Sequence, residues 1–423
     1  MRFVFHKHRL NIHKKKLDLL RIARYIESLF LALILNLNSV KIVLLNKSNI
    51  ITYLIFAIFI VSVLLDLLLR ETRRIQVYEF LAFSLFIFVI WSISSIILTE
   101  INTALGTLLK FLIGIGIAYF ASFLKEDERM RTLYNSLLIS VLYSFYLLIN
   151  YDSVYTNILR PRTYEYLMIT LTLGAGLTLA IVFFILLPRN NFKFKLLCIL
   201  SIFIQTVTLL RFPARGNVIF PFILLFIFLF FKNLKHPFRL LVSIVLIFVI
   251  ANILYNLIVQ QGNYYLSSRI IRLLTNYEEE PRTLLYSFYI NHMAKHTNYI
   301  FGMGFDASTD VLSSAWFSEK YPHNLFLELI GENGIFGIQL IIVVAALIIV
   351  KEKESFHNLH TFNTSFNSNN KVTLFYAINA CFLFYLFTYS KSYSIYNGYQ
   401  LFIYISMIIH PIIETESLSR GLL

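Results

Sequence analysis

The 423 residues are 58% hydrophobic with a mean hydropathy of +0.70, and 14% are charged, where an ordinary soluble domain carries roughly 25%. That balance excludes a soluble globular protein and predicts an all-α, polytopic membrane protein. The formal net charge of +14 is not a nucleic-acid signal, because Lys and Arg concentrate in alternate loops between apolar runs, as the cytoplasmic bias of membrane proteins requires.

Runs of about 20 apolar residues cross a hydrocarbon core ~30 Å thick, and about twelve can be placed. They fall near residues 25–45, 49–69, 76–98, 101–124, 133–150, 165–187, 195–210, 217–231, 239–259, 325–350, 371–389 and 398–413. The division is residues 1–259 with helices one to nine, residues 260–323 as a large external loop, and residues 324–423 with the last three helices.

The chain starts with "MRFVFHKHRLNIHKKK", which precedes no compact apolar segment with a small-residue cleavage site and therefore reads as a cytoplasmic anchor, not a removable signal. The first span is the weakest, since Asn36, Asn38 and Lys41 interrupt it. The predicted inner loops are all basic, among them "RETRR", "PRNNFKFK" and "KNLKHPFR", which places both termini in the cytoplasm. Lys110 lies roughly 13 Å below the outer end of its span at 1.5 Å per residue, deeper than a lysine stem reaches comfortably. A structural ion pair and a site role are equally open for it. The pairs Gly114/Gly116 and Gly174/Gly176 read as helix-packing notches, and Cys198 and Cys381, both inside apolar spans, as packing residues.

Arginines on the outer side run against the charge bias: Arg160, Arg162, Arg211, Arg215, Arg269, Arg272 and Arg282. A guanidinium offers a planar fork that matches phosphate oxygens, so such a group near the outer leaflet points to an anionic ligand. In "RFPARGNV", Arg211 and Arg215 occupy a very short outer turn, and Gly216 allows a backbone or a ligand to come close. The external loop then contains "RTLLYSFYINHMAKH", with helical apolar spacing, and the turn residues of "FGMGFD" and "YPHN". A long ordered loop in a compact protein is usually functional.

The loop ends in "YPHNLFLELIGENGIFGIQL", residues 321–340. Asn324 stands where a helix N-cap is expected, and Glu328 and Glu332 follow on one helical face. The helix start favours anions, so the two carboxylates are expected to pair with arginines. His323 has a pKa range suited to holding or moving a proton; taken alone it also fits a capping loop histidine. "TFNTSFNSNN" (361–370) reads as a flexible inner loop. The sequence has no zinc-protease, serine-hydrolase or phosphate-loop motif and no convincing internal repeat.

"YPHNLFLELIGENGIFGIQL" resembles the signature of the O-antigen polymerase and O-antigen ligase superfamily of bacterial membrane glycosyltransferases. The order of features is similar too: an Arg-Gly pair in a short outer turn, a large external loop with arginines, an "FGMGF" turn and a terminal His-Asn pair. The resemblance spans about residues 205–345, and Ala214 replaces the usual Ser before Arg215. It implies a C-type glycosyltransferase fold in the bacterial cytoplasmic (inner) membrane that needs no metal and no other cofactor. Its donor and acceptor would be polyprenyl-diphosphate-linked oligosaccharides, with membrane lipid around it and a chain-length regulator or a flippase as a further partner. Carried over, Arg215 and Arg282 would grip the diphosphate and His323 would orient or deprotonate the acceptor. Arg269 and Arg272 would be further diphosphate contacts, with Arg211, Asn324 and Glu328 at the substrate.

Two activities of that superfamily stay open. A polymerase joins lipid-linked repeat units of an O-antigen or capsule; a ligase transfers the finished glycan to lipid A core. A flippase is a different class. It predicts duplicated halves and polar groups lining the bundle centre, whereas the unusual polar groups here lie at the outer face.

Overall fold

The computed structural model describes residues 2–37, 40, 49–69, 101–150, 164–186, 192–211, 216–233, 245, 281–296, 300–304, 307–314, 322, 324–361, 368–392 and 398–409. Its elements are helices: α1 (Arg2–Leu35), α2 (Asn49–Leu69), α3 (Ile101–Ser122), α4 (Glu126–Ile149), α5 (Tyr164–Leu186), α6 (Phe192–Arg211), α7 (Gly216–Asn233), α8 (Pro281–His296), α9 (Ala307–Ser314), α10 (Leu325–Thr361), α11 (Ser368–Ser392) and α12 (Tyr399–Ile409). Among the described residues the only extended pairing is an isolated bridge at Gly302. Helices are what apolar sequence must form in lipid, where each backbone amide has to find its partner within its own segment.

Among the described residues, four helices are long and apolar enough to cross a membrane: Glu126–Ile149, Ile169–Leu186, Phe192–Arg211 and Lys371–Ser390. The bent pair Leu325–Gln339 and Val344–Val350 makes a fifth if it counts as one crossing. Shorter apolar helices cover Leu54–Leu65, Phe111–Ser122, Asn217–Ile227 and Tyr399–Ile408. The expected spans at 76–98 and 239–259 lie outside the described residues, apart from position 245.

Helix α5 is the hub, packed against α4, α6, α7 and α11. Its residues Leu171, Leu173, Leu177, Leu179, Ala180, Ile181 and Phe183 are almost fully buried around its whole circumference, as expected of a helix that is apolar on every face. Small and polar residues hold its neighbours close. A Cβ on Gly174 would meet the Phe384 ring and Asn217 Cβ at 3.1 Å, and one on Gly176 would meet Ser140 and Gln205 Nε2 at 2.8 Å. A Cβ on Gly114 would come to 3.3 Å from Tyr399 Cβ, whereas Gly116 has open space. The notch reading therefore fails at Gly116 alone. Cys198 and Cys381 are fully buried packing residues.

Hydrogen bonds between helices add direction to this packing. Gln205 Nε2 donates to Ser140 Oγ at 2.8 Å, Asn217 Nδ2 to Thr170 Oγ1 at 3.0 Å, and Tyr389 donates to Gln400 Oε1 at 2.8 Å. Such bonds contribute ~0.6–2 kcal/mol each in a bilayer. Asn36, one of the residues expected to weaken the first span, in fact ends α1. Its amide nitrogen donates to Ala32 O and to Ser136 Oγ, both at 2.8 Å, which satisfies the helix end and joins it to α4.

The segment 125–132, expected as a loop, is mostly the first turns of α4. Glu126, Asp127 and Glu128 complement the positive helix start, and Glu128 Oε2 accepts the Lys125 N–H at 2.7 Å. The other Glu128 oxygen pairs with Arg24 Nε of α1 at 3.0 Å. Arg129, 4% exposed, donates to the carbonyls of Leu124, Met407 and Ser122 at 2.9–3.0 Å. Lys371 of α11 lies 3.4 Å from Glu126. The middle of α1 and the ends of α4, α11 and α12, expected on one side of the membrane, thus meet at one place in the bundle.

Candidate functional site

Toward the end of the loop expected to be external, α8, a strap at residues 302–304, α9 and the start of α10 form one unit. Helix α8 follows the apolar spacing of "RTLLYSFYINHMAKH": Leu285 and Tyr289 are buried and pack with Met303, Ala307 and Leu312 in a small core separate from that of the bundle. The partly buried Leu327 of α10 joins that core, so the loop folds down onto the helix that follows it.

Asn324 is the N-cap of α10. Its Oδ1 accepts from Phe326 N at 3.0 Å and Leu327 N at 3.2 Å, and Glu328 N bonds to Asn324 O at 2.9 Å. The sequence places a free, anion-attracting helix start here; the cap itself takes two of those amides. Glu328, Glu332 and Asn333 are 2%, 0% and 5% exposed, whereas Phe326 and Ile335 face outward. The polar residues Glu328, Glu332 and Asn333 are thus buried along with Leu325 and Leu329, while Phe326 and Ile335 cover the outside of the helix.

Residues 325–350 do not form the single straight span expected. Gly334 breaks the helix with φ 57° and ψ −136°, a conformation that only glycine adopts cheaply. Gly337 then packs on the Leu329 carbonyl, close enough that a Cβ would collide with it. The carbonyls at the break are taken by the strap. Met303 N donates to Gly331 O at 2.8 Å and Gly304 N to Glu332 O at 2.9 Å, made possible by positive φ at Gly302 (77°) and Gly304 (100°).

The Glu332 side chain reaches Ser308, where Oε1 accepts the backbone N–H at 3.2 Å. Ser308 is the second residue of α9, so the carboxylate sits at the positive end of that helix, worth ~0.3–2 kcal/mol. Ser308 Oγ in turn lies 2.6 Å from the Tyr289 hydroxyl. Burial holds the Tyr289 hydroxyl well above its ordinary pKa of 10.0, the fields of Glu332 and Glu328 act in the same direction, and the bond to Ser308 opposes them. Tyr289 stays a neutral phenol at physiological pH.

The residues expected at the site fall as follows. Asn324, Glu328 and Glu332 are brought together with Tyr289 and Ser308. Arg282 lies in the first turn of α8, two turns before Tyr289, its side chain outside the described residues. Arg211 is the last residue of α6 and is exposed. Arg160, Arg162, Arg215, Arg269, Arg272 and His323 lie outside the described residues, as does the Lys110 side chain in α3. The expected pairing of the two glutamates with these arginines therefore falls there too; among the described residues Glu332 accepts from the Ser308 backbone amide. Tyr289 and Ser308 were not singled out in the sequence, although the apolar face of α8 places Leu285 and Tyr289 together. No protein-family model and no curated protein matches the chain.

Proposed function

We propose that this chain is a membrane glycosyltransferase that joins polyprenyl-diphosphate-linked oligosaccharide repeat units at the outer face of a bacterial cytoplasmic membrane, with both termini inside. What supports the reading is that the features carrying the resemblance, the Arg282-bearing helix, the "FGMGF" turn and the helix that opens with Asn324, pack as one unit. The first two lie on the loop that the basic segments of the sequence lead one to expect on the outside.

In this reading an acceptor hydroxyl attacks the anomeric carbon of the donor. The new glycosidic C–O bond forms as the bond to the polyprenyl diphosphate breaks, with inversion. His323 orients the hydroxyl or takes its proton, and the electron pair leaves with the diphosphate. Arg215 and Arg282 bind the departing diphosphate, where fixed cations in a partly dry site lower the barrier; losing one such group costs ~3–4 kcal/mol, or ~10²–10³ in rate.

The test is purified protein with its lipid-linked repeat unit, with and without a lipid A core acceptor. Polymer formed without core lipid supports the polymerase; glycan transferred only to core lipid makes the chain a ligase instead. His323→Ala and Arg215→Ala should abolish product while the protein stays in the membrane. Arg282→Lys should impair it by losing the planar fork. A wild-type ladder from His323→Ala refutes the mechanism.

A further inference from the structure

We infer that Tyr289, Ser308 and Glu332 are positioning residues that lock α8, which carries Arg282, to the first half of α10; their effect on transfer rests on the proposed function above. Three directed contacts converge on residues 331–332. The Tyr289 ring lies so close to Gly331 that a Cβ there would meet ring carbons at 2.8 and 2.9 Å and collide with the hydroxyl. The strap amides of Met303 and Gly304 bond the carbonyls of Gly331 and Glu332. The Glu332 carboxylate holds the start of α9 through Ser308 N, and Ser308 Oγ closes the circuit to Tyr289.

The small apolar core of Leu285, Met303, Ala307 and Leu312 is non-directional and would tolerate sliding of the hairpin over α10. An eight-residue helix such as α9 is also too short to persist unaided. The strap bonds to two backbone carbonyls and the bond from Ser308 N to the buried carboxylate are directional, and together they fix both the helix and its register. For stability alone an apolar residue at 332 would serve as well, because burying a carboxylate carries a desolvation penalty. Its presence is explained by the need for one fixed placement of α8 relative to α10.

The experiment uses the full chain in lipid nanodiscs, with Glu332→Ala, Glu332→Gln and Ser308→Ala. Amide exchange is followed at Met303, Gly304 and Ser308, and transfer of a lipid-linked repeat unit is resolved into kcat and KM. In Glu332→Ala, exchange at Ser308 should rise about tenfold or more, and kcat should fall about tenfold with donor KM within about threefold. Glu332→Gln, whose amide oxygen still accepts the Ser308 N–H, should restore most of both. If Glu332→Ala does not reach the membrane, Ser308→Ala decides by the same readouts, because it keeps the backbone N–H and removes only the link to Tyr289. Unchanged exchange, faster exchange with intact kcat, or Gln behaving as Ala each overturns the inference. If the wild type transfers no glycan, the proposed function fails, and exchange alone then decides whether the lock exists.

Discussion

Gly302 gives the sharpest physical test of how the strap at residues 302–304 is seated. Replacing it by Ala puts a side chain on a residue at φ 77°, and the Cβ would be driven into the carbonyl group of Glu332 and to 2.6 Å from Asn333 N. The φ term costs ~1–2 kcal/mol. The colliding atoms are helix backbone and cannot rotate aside, so the strap must lift. That loses the bonds from Met303 N to Gly331 O and from Gly304 N to Glu332 O, at ~0.5–1.5 kcal/mol each. The sum is ~2–5 kcal/mol of local stability, and at ~1.4 kcal/mol per tenfold even the low end means ~30-fold faster opening. Hydrogen exchange across residues 300–304, read by mass spectrometry, measures this directly. Gly116→Ala is the matched control: a Cβ there meets nothing within 4 Å, and Ala favours the helix by up to ~1 kcal/mol. If Gly302→Ala exchanges within about threefold of the wild type, the seating of the strap on α10 is wrong.

Glu128→Ala should destabilise the contact between α1 and α4 by about 2–4 kcal/mol, because it removes the pair with Arg24 and the acceptor for the Lys125 amide, Arg24 being partly exposed. Glu128→Gln should fall between, as it still accepts from Lys125; an unchanged thermal midpoint for Glu128→Ala would exclude the pair as a tie between α1 and α4. The raised pKa of Tyr289 makes a pH prediction. A group whose folded pKa lies above its unfolded value stabilises fully below the unfolded value, here 10.0, and that stability is lost as pH rises through the folded one. A fluorophore on Lys295→Cys, specific because both native cysteines are buried, should report opening of the segment above pH 10.0 in the wild type. Tyr289→Phe should lack that step, and an identical alkaline profile would count against a buried neutral phenol.

The helices were legible where hydropathy and period set them, as for α2, α5 and α11, whose bounds lie within a few residues of the expected spans. Asn324 as a cap and the shared inward face of Glu328 and Glu332 were legible as well, since both follow from spacing within one helix. The break at Gly334 was not. "GENG" continues an apolar span by composition, and only the strap arriving from residues 302–304 makes an interruption stable by taking the carbonyls it frees. Nor did the sequence announce Tyr289 and Ser308. Their bond joins residues 19 apart, and the Ser308–Glu332 bond residues 24 apart, distances at which no local pattern operates.

By itself the sequence determined that the protein is built of apolar helices, because transfer of side chains and backbone from water to lipid is a property of composition and run length. It also singled out the residues proposed to carry phosphate or proton chemistry. Only the tertiary structure decided that Glu332 spends one oxygen on the start of α9 and that α10 divides at Gly334, with the strap at residues 302–304 seated on that break. Those outcomes depend on which buried donor reaches which acceptor, and that is settled by packing between segments distant in the chain.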